Sequence, residues 1–550
     1  MTCQARATTI LGLGLLMLSC IGCGDENNPD NTTTPATMGA GSGGSLGSAA
    51  VSGGVPPVAG ISGASGAPPL GVGGNGAAPA AGAAAGASGA AGAAGAAGST
   101  SGGPAPALTG DDFASGVTVA VHDDVNTILV VTWTQAMAAE MTWLEFEFEA
   151  GNVMKSRAKP GTAGEQRDVV LGVPGETMVT IRVVSQQGGM EYKSKDYQGM
   201  TEAVPAGMPK PTVIAYDAAI ASPDRWMFGA VENSDGGCNN QSCFYHTTFW
   251  IYIMDRKGRI VWYYADPASN ATSSFQRRAR DGEYIWIEKR PFGGSGERSV
   301  LKMTLDHAYS EEIPVPGLAD CIDVTDDGSL LYDVTRTYVL REMTRDGQTR
   351  DIWSCREHFG TNFQCYSNTI NWNKADDSIL MSFPEHGTVI QIDRKTGDVV
   401  GQYGEAANSY AFSPATLGFG FQHFPNITPE GTLIVSSHMP GFEDTDSPVA
   451  GQHAFMEFTI DRANRTLVEK WLYREGQEWA MYKGMAIRMT NGNTLANYGT
   501  GGVIREITPD KRTAFHVKFD STRGNDFYNK MVGHNELIDD LYALNGGGPK

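Results

Sequence analysis

One histidine stands apart in this sequence. His423 lies in Gly420-Phe421-Gln422-His423-Phe424-Pro425-Asn426-Ile427, which is followed by the turn Pro429-Glu430-Gly431 and the β-branched run Thr432-Leu433-Ile434-Val435. The pattern reads as strand, turn, strand. A neutral imidazole in a small wet pocket can serve as a nucleophile, a general base or a hydrogen-bond partner. Side chains of complementary chemistry occur in nearby units. The Asn368 amide can donate to a developing anion, and the Tyr366 hydroxyl can donate or accept. Lys483 and Arg488 are candidate cations for an anionic group, although such side chains more often serve solvation or structure. His246, His358, His386 and His438 fall in loop-like contexts and read as ordinary.

These residues must be positioned by a repeat. A turn followed by an apolar strand recurs at Asp281-Gly282, Asp327-Gly328, Asp377-Ser378, Glu430-Gly431 and Asn491-Gly492, with turn positions 46, 50, 53 and 61 residues apart. A second unit falls between them, as in Met254-Asp255-Arg256-Lys257-Gly258 and Ile392-Asp393-Arg394-Lys395-Thr396-Gly397, and reads as an outer hairpin. Four strands every 45 to 60 residues is the spacing of β-propeller blades, none of which can bury its faces without neighbours. Five repeats plus the segment Thr212 to Val231 predict six blades. Counting eight residues back from each turn, with an allowance of two in the longer third unit, gives Ser274, Asp320, Asn368, His423 and Gly484. All are small or polar where core positions should be apolar, so they predict the lining of a wet pocket near the axis.

The rest of the chain bounds the class. At 550 residues it is too long for one compact core. Its formal charge of -20 argues against a nucleic-acid partner, while a local basic pocket for an anionic substrate is still permitted. Residues 1–23 read as an export signal, with apolar Ile10 to Leu18 too short to span a bilayer permanently. The ending Leu18-Ser19-Cys20-Ile21-Gly22-Cys23-Gly24 resembles a bacterial lipobox with Cys23 as the lipidated residue and Cys20 as the alternative; several acyl chains there would give stable anchoring in the cell envelope. Residues 24–110 form a Gly/Ala/Ser/Pro-rich linker with no charged or aromatic residue after Asn31, predicting a disordered tether with a reach of about 50 Å. Export permits disulfides, and spacing pairs Cys238 with Cys243 and Cys355 with Cys365, leaving Cys321 as a buried thiol. No Cys/His spacing reads as a zinc site, so no metal is expected. Residues 111–208 carry five short strands, alternating most clearly in Trp143–Phe148 and Met178–Val184, and predict an N-terminal β-sandwich. Its turn Gly172-Val173-Pro174-Gly175-Glu176-Thr177 resembles that of fibronectin III/Ig-like domains. The fold class is therefore all-β: a β-sandwich, then a six-bladed β-propeller over 209–550.

Several motifs, taken in order, resemble bacterial arylsulfate sulfotransferases. Tyr366-Ser367-Asn368-Thr369-Ile370 followed by Asp376-Asp377-Ser378-Ile379-Leu380-Met381-Ser382 is similar to that family's H-x-N-S-I and DDSIL-S segments. Ile392-Asp393-Arg394-Lys395-Thr396-Gly397 is similar to its IDRKTG hairpin, Gln422-His423 to its QH motif, and Arg488-Met489-Thr490-Asn491-Gly492-Asn493-Thr494-Leu495 to its RLPNGNTL strand. The resemblance covers roughly Pro211 to the C-terminus. It implies a ping-pong transfer that uses no nucleotide cofactor: His423 attacks the sulfur of an aryl sulfate, a sulfohistidine forms, and a phenol accepts the sulfuryl group. Asn368 matches an active-site asparagine. Tyr366 stands where the family has a histidine, the expected arginine falls near Pro384, and another expected histidine falls near Asp320. These departures remove cations or donors and add a carboxylate, which weakens sulfate binding. They leave a second reading open, a non-catalytic surface propeller binding a small molecule, glycan or protein.

Overall fold

The structure is a computed structural model, and it describes residues 107–232, 249–265, 271–272, 276–278, 283–291, 298–439, 453–474, 480, 482–520 and 530–545. Cys23, most of the linker, Cys238, Cys243 and Ser274 lie outside the described residues. The architecture is all-β, with helical structure confined to short turns such as Gly110–Phe113, Cys355–Phe359 and Pro384–His386. No helix among the described residues is long and apolar enough to cross a membrane.

Two antiparallel sheets, of three and six strands, come first in the chain. In the strand Leu129–Gln135 alternate residues are buried, so Leu129, Val131 and Trp133 meet Leu144, Phe146, Ile181 and Val183 in one core. Each such large side chain contributes about 1.5–3 kcal/mol by leaving water. Gly110, which composition assigns to the linker, is packed so closely that an added Cβ would lie 1.9 Å from the Lys193 carbonyl carbon. The folded part thus reaches slightly further towards the N-terminus than composition indicates.

Six further sheets, I to VI, form a propeller-like series. Sheet III runs Leu318–Val324, Leu330–Val334, Val339–Met343, Thr349–Ser354, and sheet IV runs Thr369–Asn373, Ser378–Phe383, Thr388–Asp393, Val399–Gly404. Sheet V runs Gly420–Ile427, Leu433–His438, His453–Asp461, Thr466–Tyr473 and ends on Ala411–Ser413, which pairs in parallel. The predicted turns join the first and second strands, with Gly328, Gly431 and Gly492 at φ of 80°, 78° and 85°, where a Cβ would be strained. The segment expected to form a blade by itself is divided instead. Trp226–Glu232 joins sheet I, whose first strand is the C-terminal Val532–Ile538, and Thr212–Tyr216 extends sheet VI beyond Thr513–Lys518. The start and the last strand of the propeller-like series are thereby paired into sheets VI and I.

A second device joins the sheets. Third strands carry a buried acceptor, Glu342, Gln391, Glu457 or Glu506, that meets an arginine from the next sheet. Arg394 reaches Glu342 at 2.6 Å, Arg462 reaches Gln391 at 3.5 Å, Arg488 pairs with Glu457, and Arg256 reaches Glu506 at 3.2 Å. Three of these arginines come from the repeated Asp-Arg dipeptides at 255–256, 393–394 and 461–462. The core continues from sheet I into the N-terminal sheets, where the Tyr542 hydroxyl donates to the Val169 carbonyl at 3.0 Å and accepts from the Leu171 amide at 3.1 Å.

Candidate functional site

His423 lies on the first strand of sheet V, in a stretch that departs from regular pairing. That strand pairs with its neighbour at Gly420↔His438, His423↔Ser436 and Asn426↔Ile434, with an extra residue in each interval. His423 is thus the single rung between two bulges, devices that re-aim side chains. Phe421 and Phe424 have φ of 44° and 52°, conformations that cost a bulky residue of order 1–3 kcal/mol and persist only where the surroundings enforce them.

Sheet IV supplies that enforcement. The Asn368 amide donates to the Gln422 carbonyl at 2.9 Å, and the Ser382 hydroxyl donates to the same carbonyl at 3.2 Å. The Phe424 amide donates to Thr369 Oγ1 at 3.0 Å. Gln422 is fully buried, its amide donating to Phe383 O and Thr388 O, both at 3.0 Å. Both peptides flanking His423 are therefore fixed by groups that cannot follow the ring.

The ring itself is half-buried, with Nδ1 2.9 Å from the Phe421 carbonyl. A carbonyl only accepts, so Nδ1 carries the proton and Nε2 carries the lone pair. Removal from water lowers the pKa of His423 to about 4, and repulsion from His438 and Lys483 adds to this against the favourable Phe421 carbonyl. At neutral pH the imidazole is uncharged, with its lone pair at Nε2.

Two further imidazoles stand behind it. His438 ends the second strand of sheet V and donates from Nε2 to the Ala480 carbonyl at 2.8 Å. His453 opens the third strand, with Nε2 3.1 Å from Ser436 Oγ. The His438 and His453 rings are 5.8 Å apart and nearly perpendicular. Burial, then repulsion from His438 and His423, holds the His453 pKa well below its ordinary value. Among the described residues no group of three or more His, Cys, Asp or Glu has an arrangement suited to a metal ion.

The sequence-derived candidates are distributed unevenly. Asn368 touches the peptide beside His423, but its amide already donates to Gln422 and its Oδ1 accepts from Thr369 Oγ1 at 3.3 Å. Lys483 has φ of 63° and acts electrostatically on His423, with Nζ 5.8 Å from the Phe249 ring centroid. Arg488 is committed elsewhere: it pairs with buried Glu457, donates to Gly492 O at 2.8 Å and lies over Trp471. Tyr366 is half-buried between Cys365 and the first strand of sheet IV. Asp320 belongs to the first strand of sheet III, its side chain lying outside the described residues, as does Ser274. Cys355 and Cys365 form the expected disulfide, and the Cys321 sulfur is buried, 3.4 Å from Ser367 O. Sequence reasoning missed Ser436 and His453 and placed His438 in a loop. The signal was the apolar run Leu433–Val435, whose strand continues to His438 and whose partner strand begins at His453.

A cleft of about 370 Å³ lies elsewhere, lined by Lys155, Arg157, Glu283, Asp540 and Tyr542.

The fold and site define a class: an all-β chain of propeller-like sheets with a histidine cluster on the first three strands of one of them. No family model matches the chain, and no curated protein matches it. Among solved structures, a catalytically inactive virginiamycin B lyase from Staphylococcus aureus with quinupristin is similar at 10% identity and a TM-score of 0.34, covering 60% of this chain and 99% of that one. An auxiliary nutrient binding protein from Bacteroides ovatus is similar at 11% identity and a TM-score of 0.32, covering 77% and 91%. The resemblance to arylsulfate sulfotransferases rests on the short motifs alone.

Proposed function

We propose that this chain is a lipid-anchored protein of the cell envelope, in which a β-sandwich and a six-bladed β-propeller display a group-transfer site centred on His423. The observation that carries this reading is the ring's fixed tautomer. Nδ1–H is held by Phe421 O and the pKa is lowered to about 4, so Nε2 is an unprotonated nucleophile at pH 7. With the motif resemblance, an aryl sulfate is the donor to test. Nε2 would form a bond to sulfur as the phenolate leaves with the bonding pair, and a second phenol would then take the sulfuryl group and release its proton. Cys23 would be the lipid attachment point, and the donor and acceptor the partners.

The test is intact-mass and peptide analysis after incubation with 4-nitrophenyl sulfate, using full-length protein without added nucleotide. A gain of one sulfuryl group on the peptide containing His423, lost in His423→Asn, is the expected result. Labelling that persists in His423→Asn removes the assigned role.

A second reading, ligand binding without turnover, is favoured by one observation. Arg488 and the Asn368 amide are occupied within the protein, which leaves Lys483 as the cation of the predicted set acting on His423. Saturable binding of the aryl sulfate without labelling would support it.

A further inference from the structure

The first strand of sheet VI begins at Gly484 and approaches sheet V unusually closely. A Cβ built on Gly484 would lie 2.2 Å from Ser436 Oγ, 3.3 Å from Ser436 Cβ and 3.2 Å from His453 Cε1. Any side chain there must displace the Ser436–His453 pair. On the other flank, a Cβ on Gly499 would lie 1.8 Å from Tyr482 O and 2.9 Å from the Lys483 carbonyl carbon, while the Thr500 amide donates to Tyr482 O at 3.2 Å. The Tyr482–Lys483 backbone is thus held between two glycine contacts, and Lys483 is kept at φ of 63° between them. A lysine adopts that conformation only under constraint. Ser436, whose hydroxyl touches His453, is also the one residue paired with His423 between the two bulges. One small platform therefore locates both His423 and Lys483.

We propose that Gly484, Ser436 and His453 are positioning residues that fix the gap between the Lys483 ammonium and the His423 imidazole, and thereby set the reactivity of His423 toward an electrophile carried by an anionic ligand. The proposal rests on reading His423 as the reactive group, but it does not depend on which group is transferred. Lys483 guides the anion while opposing protonation of His423, and both effects fall steeply with distance at a partly dry site. Besides Lys483, the ionisable groups that act on the ring are His438 and His453 from sheet V; His534, which meets Glu536 on sheet I, packs against Phe424.

The experiment measures carbethoxylation of His423 by diethyl pyrocarbonate across pH 4–8 on the folded full chain, resolved by peptide mass. This reagent acylates unprotonated imidazole, so the rate reports access and the pH midpoint reports the local field. Gly484→Ala is expected to change the rate at His423 by at least about tenfold, in line with the sensitivity of reactive groups to displacements of about 1 Å, and to move the midpoint upward as Lys483 is displaced. Ser436→Ala with Gly484→Ala removes the clashing oxygen and is expected to restore most of both. Lys483→Met introduces no clash and is expected to move the midpoint upward by itself, which keeps the test decisive if Gly484→Ala does not fold. A Gly484→Ala protein identical to wild type, a double variant no closer to wild type than the single, or an unmoved midpoint in Lys483→Met would each overturn the proposal. Absence of sulfuryl labelling alongside the expected carbethoxylation pattern would remove the aryl sulfate and leave the positioning unit standing.

Discussion

The outer bolts and the inner histidine cluster bury polar groups in opposite ways. At the bolts each buried charge meets its opposite: Glu506 is fully buried and takes Arg256 together with the Ser222 amide and Asn493, and Glu457 takes Arg488 and Lys470. At the cluster, like meets like. His438 and Lys483 disfavour a proton on His423, His438 and His423 disfavour one on His453, and the backbone at Phe421, Phe424 and Lys483 adopts conformations that bulky residues avoid. Paired charges hold sheets together, whereas neighbouring imidazoles that disfavour one another's protons on a strained backbone cost stability. The difference separates the two uses of buried polarity without reference to any relative.

The comparison breaks most readily at Arg256. Its pair with Glu506 joins sheet I to sheet VI, and both side chains are buried. Arg256→Ala leaves a buried carboxylate unpaired, so a loss of about 3–5 kcal/mol is expected in urea denaturation followed by tryptophan fluorescence. Arg256→Met with Glu506→Gln removes both charges and should recover a large part of it. A loss under about 1 kcal/mol for the single variant would mean the pair does no fastening.

The disulfide gives the next effect. Cys355 and Cys365 enclose a ten-residue separation leading directly into Tyr366 and Asn368. A loop of that length is worth about 2–3 kcal/mol in chain entropy, so replacing both cysteines by serine should lower stability by that amount. His423 labelling should change little, because Asn368 is held by its own contacts to Gln422 and Ser382. A large loss of labelling would move the loop from the fold to the site.

Much of this division was legible in the sequence, for physical reasons. Turns at a fixed place before apolar runs gave five of the six sheets, because a tight turn demands positive φ and the strand after it demands a buried face. The same register placed His423 on an inner strand, and Asn368 and Gly484 beside the flanking ones. It misassigned the segment 212–231 because pairing between strands far apart in the chain leaves no local pattern. Arg488 read as a site cation because sequence cannot say which face of a strand an arginine takes; its partner Glu457 lies 31 residues away on the neighbouring sheet. His453 was illegible because its role depends on the close approach at Gly484, which the one-letter pattern records only as a missing side chain.

Acid should expose the cluster before it exposes the bolts. His423 has a folded pKa of about 4 against an ordinary 6.5, so between those values the unfolded chain binds more protons and stability rises with pH. The contribution is complete above about pH 6.5 and is lost as pH falls toward 4. His453 shifts in the same direction. The carboxylate of Glu457 is depressed in the fold, despite the opposing effect of burial, by Lys470, Thr432 and Arg488. Its contribution is present above the ordinary glutamate range and is lost only at lower pH. Denaturation midpoints of wild type and His453→Gln should therefore converge as pH rises from 5 to 7, if the glutamine packs as well as the imidazole. A constant gap over that range would assign the effect to packing rather than protonation.

The smallest effect expected is at Arg462, and it sharpens what makes a bolt. Arg462 occupies the same hairpin place as Arg256 and Arg394, but it is exposed and meets Gln391 at 3.5 Å, where the other two meet glutamates. Gln391 is satisfied locally by Ser378, Asp376 and the Tyr403 hydroxyl. Removing Arg462 strands no charge, so Arg462→Ala should cost no more than about 0.5 kcal/mol. Gln391→Glu should raise the cost of losing Arg462, because a buried carboxylate then depends on it. A double-mutant cycle between positions 391 and 462 measures that coupling directly. Equal costs in the glutamine and glutamate backgrounds would show that the hairpin arginine acts through packing, and that charge pairing is not what distinguishes the outer bolts from the inner cluster.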